Sequence, residues 1–375
     1  MIRIVHIAKP IGGVGVYIQL LTKNLNSKEF KNTVLLNNSD QNLDLIDQNG
    51  NQIESFHVNL QREINLINDF KSLFKIINHL KKIEPNIIHC HSAKAGILGR
   101  IAGAVLNIPV FYTPHAYSYL SAENTFKKFI YKFIEKTFRF FPSKTLACSI
   151  SEYNRTVNDL GFEKNKVLVW KNSIEEFSPK KRYAEIDSLP QQYICTIGRP
   201  SYQKNTELLI KSIYEVKKHI TSIHLVILGV GYYSPFLEQI KLLIKELDLT
   251  DNITLIDFIN REECLSVLQK SQFFVSTSRY EGLPYAGIEA LMLKKPCVMT
   301  NVDGNKDLVN DTVNGFLTKS EPNVIAERII HLYKSPKKID IMGEASYQKF
   351  KSEFHIESNI KYIEKTYKSH AKIEK

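Results

Sequence analysis

Short apolar runs rich in β-branched residues alternate with amphipathic stretches along this 375-residue chain, and the alternation occurs twice. Residues 2–7, 33–36, 87–89 and 110–113 read as strands, with helices at 17–24, 69–81 and 95–106 between them. Strands joined through helix-length segments pair in parallel, so the pattern predicts βαβ units with helices on both faces of a sheet. It restarts after Pro190, with strands at 193–197, 224–228, 253–256 and 273–276 and helices at 207–218, 235–247 and 262–270. The expected fold class is α/β, with two Rossmann-like doubly wound domains at 1–175 and 190–350. The charged, aperiodic stretch 173–190 reads as their linker and 356–375 as a terminal helix.

The net charge of +11 is uneven: residues 1–175 hold 22 Lys and Arg against 14 Asp and Glu, the remainder 28 against 25. The first half should therefore face an anionic partner. Basic residues are not interleaved with stacking aromatics in a known nucleic-acid motif, so nucleic acid is not expected; a membrane surface or a pyrophosphate-bearing acceptor fits better. Five scattered cysteines without a CxxC pair suit reduced thiols in the cytoplasm. Residues 1–7 read as a strand rather than a signal peptide, and the longest apolar stretch, 101–112, is broken by Asn107 and Pro109. Membrane contact, if made, is expected to be peripheral, on the inner face of the cell membrane. Residues 126–141 are its candidate site: Phe126, Phe129, Ile130, Phe133 and Thr137 follow helical spacing, while Lys128, Lys132, Lys136 and Arg139 fall elsewhere. Such a helix lies on an anionic bilayer or packs its apolar stripe into the core and leaves its lysines solvated.

Chemistry concentrates at 279–290, Arg-Tyr-Glu-Gly-Leu-Pro-Tyr-Ala-Gly-Ile-Glu-Ala. Glu281 follows a β-rich run, Gly282 and Pro284 mark a turn, and a helix reads from 287 to 293, carrying Glu289 eight positions after the first acid. A helix start offers unpaired amides to an anion. Two carboxylates beside it would repel that anion unless they bind the hydroxyls of a sugar and a ribose. The segment resembles the Glu-x7-Glu signature of retaining family-4 glycosyltransferases. Cys195-Thr196-Ile197-Gly198-Arg199 with Gln203-Lys204-Asn205 is similar to the loop that gives that family an Arg and a Lys for the donor diphosphate.

The resemblance covers most of the chain and implies a GT-B fold, two domains facing a cleft, with residues 351–375 packing back on the first domain. It implies a nucleotide-sugar donor, a glycan or lipid-linked acceptor, and a place in bacterial O-antigen or capsule synthesis. Arg199 and Lys204 would meet the leaving phosphate, Glu281 a sugar hydroxyl and Glu289 the ribose. The amides of Leu283, Tyr285 and Ala286 would reach phosphate or sugar, and Gly13 and Gly15 of the first glycine-rich turn the diphosphate. Tyr232 and residues 258–259 would border the base. His115, after the run at 110–113, would sit beside the reacting sugar. His89 and His91 flank Cys90, but no carboxylate or further His at suitable spacing completes a metal shell; neither a catalytic metal nor another cofactor is expected. Other readings are a nucleotide-sugar epimerase or hydrolase on the same fold, and a non-catalytic membrane-associated scaffold. The first needs catalytic acids and no acceptor; the second predicts a damaged donor site, whereas Arg199, Lys204, Glu281 and Glu289 are all present.

Overall fold

A strand flanked by helices on both faces is buried on both, and the strand Ile2–Ala8 (β1) is buried without a break from Ile4 to Ala8, His6 included. The computed structural model describes residues 1–37, 43–61, 65–180, 183–231 and 234–372. One compact unit comprises Met1–Ser173 with Ile356–Lys375, the other Ile174–His355.

In the first unit, β1 is joined by β2 (Phe30–Asn37), β3 (Ser55–Val58), β4 (Ile87–His91), β5 (Val110–Thr113), β6 (Ser143–Ala147) and β7 (Val167–Val169). Their order is β3-β2-β1-β4-β5-β6-β7, with every neighbouring pair parallel. The chain leaves β1 toward β2 and leaves β4 toward β5, so it turns opposite ways from two adjacent strands. A crevice opens beyond the carboxyl ends of strands at such a switch point. Strands β3, β6 and β7 lay outside the expected runs. They are short and, in β6 (Ser-Lys-Thr-Leu-Ala), partly polar, so periodicity alone does not reveal them.

The second unit repeats the plan with β8 (Ile194–Ile197), β9 (Leu225–Leu228), β10 (Ile253–Ile256), β11 (Phe274–Ser276), β12 (Cys297–Thr300) and β13 (Gly315–Thr318). Their order is β10-β9-β8-β11-β12-β13, again parallel, with the switch point between β8 and β11. The stretch read as a linker is packed onto this unit. The Ile174 amide donates to the Phe354 carbonyl at 2.9 Å, the Tyr183 amide to Ser266 Oγ at 3.0 Å, and Ile186 is buried.

The terminal helix Ile356–His370 belongs to the first unit. Glu364 accepts the Asn26 amide at 2.9 Å, and the Asn359 carbonyl accepts Trp170 Nε1 at 3.1 Å. Residues 126–141 overlap the helix Thr125–Thr137, whose inward group is a charge: Glu135 Oε2 takes Arg100 Nη2 at 3.0 Å and Oε1 takes the Tyr112 hydroxyl at 2.9 Å, all buried. With Glu135, Tyr131 and Ile134 turned to the core, Phe126, Phe129 and Phe133 face outward at 71%, 68% and 58% exposure. The core-packing reading of that phenylalanine stripe therefore fails. Among the described residues no helix is long and apolar enough to cross a membrane.

Candidate functional site

In the second unit the switch point gathers the predicted acids and cations. Strand β8 is followed by Gly198, whose φ of 148° and whose tight approach to Lys204 (a Cβ there would lie 2.9 Å from Lys204 Cε) suit glycine. The loop beyond it runs to Asn205 and into the helix Thr206–Lys217. From the adjacent β11, residues 277–284 form the second loop, and its Thr277 hydroxyl donates to the Asn205 carbonyl at 3.0 Å, tying the loops together. Lys204 Nζ meets Glu281 Oε1 at 2.8 Å; the Ser278 hydroxyl donates to the same oxygen at 2.7 Å, and Gln203 Nε2 to Oε2 at 3.0 Å. Glu281 is 6% exposed, so three donors hold a buried carboxylate in one orientation. Gly304, at φ 79°, packs its α-carbon where a Cβ would lie 2.8 Å from Glu281 Cβ, which makes the Asn301–Gly304 turn the wall behind this acid. Gly198, Lys204, Ser276, Ser278, Pro284 and Ala286 line a small recess between the loops.

Arg199 is exposed beside this recess and pairs with no carboxylate among the described residues. Helix Tyr285–Met292 starts directly after Pro284 without a side-chain cap, placing Leu283, Tyr285 and Ala286 at its amino end. Glu289 lies one turn in, buried, with Oε1 accepting Arg261 Nε at 2.8 Å. Burial pushes its carboxyl above the ordinary range, and the Arg261 guanidinium opposes that rise. Arg261 opens the helix Arg261–Lys270 behind an Asn260 cap. Neither Arg261 nor Ser278 stood out in the sequence, because one opens an ordinary helix and the other lies in a Ser-Thr-Ser run. Tyr232 lies outside the described residues, and Phe258 is exposed.

In the first unit, Gly12 (φ 59°) turns the chain into the helix Gly13–Asn24. The Gly15 amide already donates to the Gly12 carbonyl at 3.1 Å, and a Cβ there would lie 3.1 Å from Leu43. Gly15 is therefore closely packed and buried, and Gly13 is exposed at the helix start. His115 follows β5 with φ 54°, and Ala116 with φ 74°, consecutive left-handed residues of a kind that persists where surroundings enforce it. Glu152 enforces it here: Oε1 takes the Ala116 amide at 2.9 Å while Oε2 takes the Cys148 amide at 2.8 Å.

His115 is not isolated. His91 Nδ1 lies 3.3 Å from His115 Nε2, and His6 Nδ1 lies 3.1 Å from His91 Nε2. His89 is beside them, and one nitrogen from each of His6, His89 and His91 falls within 4.8 Å of the others. The sequence offered His89 and His91 alone; β1 pairs with β4 so that His6 stands opposite His89, and this register supplies the third imidazole. Burial lowers His6 to about 4 and His115 to about 3, so the rings are neutral near pH 7.

Residues 179–349 match the family described as Glycosyl transferases group 1, and residues 11–176 match Glycosyltransferase Family 4. The chain is 29% identical over 346 residues to the UDP-Gal:alpha-D-GlcNAc-diphosphoundecaprenol alpha-1,3-galactosyltransferase of Escherichia coli, covering 86% of each. The chain is a glycosyltransferase of GT-B fold. This glycosyltransferase is also 24% identical over 337 residues to the capsular polysaccharide biosynthesis glycosyltransferase CapM of Staphylococcus aureus, covering 85% of this chain and 87% of CapM. Among solved structures, Anabaena HepE in complex with UDP and glucose superposes with a TM-score of 0.81 at 18% identity, over 98% of this chain and 100% of HepE.

Proposed function

We propose that the enzyme transfers a sugar from a UDP- or GDP-sugar to a hydroxyl of a polyprenyl-diphosphate-linked glycan, with retention of anomeric configuration, during O-antigen or capsule assembly. The observation that carries this reading is the buried Glu281, held by Lys204, Ser278 and Gln203 at the β8/β11 switch point, with Glu289 on the helix that follows. The names of the E. coli and S. aureus relatives support the acceptor class and the setting.

In this reading Arg199 and Lys204 stabilise charge on the departing diphosphate. Glu281 accepts a hydroxyl of the transferred sugar, and Glu289 accepts the ribose hydroxyls. The amides of Leu283, Tyr285 and Ala286 reach phosphate or sugar, Gly13 contributes to diphosphate binding, and His115 orients the sugar. The bond from the anomeric carbon to the phosphate oxygen breaks while the acceptor oxygen bonds to that carbon on the same face. The acceptor's proton passes to the leaving phosphate, since the motifs supply cations and orienting acids and no nucleophile at that carbon.

The enzyme works at the inner face of the cell membrane, with Phe126, Phe129, Phe133 and the neighbouring lysines of residues 126–141 meeting anionic lipid. The outward phenylalanines support this part of the reading.

The test incubates the enzyme with UDP- and GDP-sugars and a short polyprenyl-diphosphate-linked acceptor, and reads the product's anomeric coupling by NMR. A glycoside of the donor's configuration is expected. An inverted product, free sugar alone or an epimerised donor would contradict the proposal.

A further inference from the structure

The histidine cluster of the first unit has a direction. Asn32 presents Oδ1 to His6 Nε2 at 3.2 Å, and in this orientation of the amide its carbonyl oxygen accepts. His6 must then carry its proton on Nε2, and a neutral imidazole with one proton leaves Nδ1 bare. That bare nitrogen is 3.1 Å from His91 Nε2, which must donate to it. His91 Nδ1 is bare in turn and accepts from His115 Nε2 at 3.3 Å. Three links thus propagate one choice from Asn32 on β2 to the strained turn at His115, which is left with Nδ1 as its acceptor.

His89 is settled separately. The Thr113 hydroxyl donates to the Leu146 carbonyl at 2.9 Å, so its oxygen accepts from His89 Nε2 at 2.9 Å, and the Tyr367 hydroxyl donates to His89 Nδ1 at 2.7 Å. Each nitrogen of His6, His89 and His91 therefore has a partner of matching sense. A metal ion among them would have to displace these bonds, which argues against the metal reading that their proximity suggests. The desolvation that lowers all four rings suits the same picture, because a charged ring in the chain would bring two N–H groups face to face.

We propose that Asn32, acting through His6 and His91, fixes the proton of His115 on Nε2 and so presents Nδ1 as the acceptor beside the reacting sugar. Asn32, His6 and His91 are positioning residues. The inference rests on the reading of His115 as the residue that orients the transferred sugar.

The test is long-range proton–nitrogen NMR of the imidazoles in the full-length enzyme at pH 7.5, with signals assigned by single substitution. Nε2–H forms are expected for His6, His89, His91 and His115. In Asn32→Leu, His6, His91 and His115 should become tautomer mixtures while His89 keeps its proton on Nε2. Turnover should fall in proportion to the Nε2–H fraction of His115 that is lost, roughly twofold for an even mixture, and the substitution should have no further effect in a His115→Ala background. An Nδ1–H or doubly protonated His115 in the wild-type enzyme overturns the proposal, and this measurement needs no variant of Asn32 to fold. Unchanged tautomers in Asn32→Leu, or loss of the wild-type N–H signals on adding zinc, overturn it as well. Expected tautomers combined with full turnover in His115→Ala would remove the role of His115 in the reaction, a failure distinct from that of the chain.

Discussion

If Glu289 accepts the ribose hydroxyls of the donor, deleting the carboxylate and deleting the hydroxyls must have overlapping effects on binding rather than additive ones. A hydrogen bond to a charged acceptor contributes about 1.5–3 kcal/mol, which is roughly 10- to 150-fold in Kd. The upper half of that range applies here. The carboxylate is 8% exposed, Arg261 Nε holds Oε1 at 2.8 Å, and Oε2 has no partner among the described residues, so little reorganisation accompanies ribose binding. Calorimetric titration of wild type and Glu289→Ala with UDP and with 2′,3′-dideoxy-UDP, or the guanosine pair if GDP is the nucleotide bound, closes the cycle. Wild type should prefer the ribonucleotide by about 30- to 150-fold, and the variant should lose nearly all of that preference. A variant that keeps the full preference would refute the assignment of Glu289 to the ribose, whatever its effect on overall affinity.

Three further outcomes follow from other parts of the molecule. Arg100→Ala leaves the buried Glu135 without its cation and should destabilise the first unit by about 3–5 kcal/mol, seen as a lower urea midpoint; adding Glu135→Leu should recover much of the loss, and an unchanged midpoint in the single variant would remove the pair from the fold's support. His6 ionises about 4 when folded against 6.5 in an exposed chain, so its contribution is complete above pH 6.5 and is lost as pH falls from there toward 4. With the other lowered histidines beside it, urea midpoints should drop steeply between pH 7 and 5.5, and a flat profile would contradict the neutral cluster. Replacing Phe126, Phe129 and Phe133 together by Ser should leave stability nearly unchanged, because the rings are exposed, yet abolish flotation with anionic liposomes; equal flotation of variant and wild type would contradict membrane contact through this helix.

The βα alternation was legible because parallel strands are apolar on both faces and stand out as unbroken runs: Val110–Thr113 and Ile253–Ile256 match the expected strands end to end. The short strands Ser55–Val58 and Val167–Val169 were not, since their identity comes from the neighbours they pair with. Helix Gly13–Asn24 starts earlier than expected because Gly12 supplies a turn conformation that periodicity does not register. Within the sites, Glu281 and Glu289 were visible as a spaced pair, and the meeting of Glu281 with Lys204 follows from the β8/β11 switch point. The partners that orient these groups were hidden. Arg261 reaches Glu289 from another helix, and His6 and Asn32 join His91 only through the registers of β1 with β4 and β2. A one-dimensional pattern shows which residues carry chemistry more readily than which residues aim them.

Binding of the nucleotide part of a sugar donor at the β8/β11 switch point of the second unit is open to a thermal-shift test. UDP, GDP, ADP and their common sugar conjugates would be added at millimolar concentration to wild type and to Arg199→Ala. A ligand bound only by the folded state raises the melting temperature by mass action. A rise with one nucleotide class is expected, lost or sharply reduced in Arg199→Ala. No rise with any of them, or an equal rise in the variant, would contradict it.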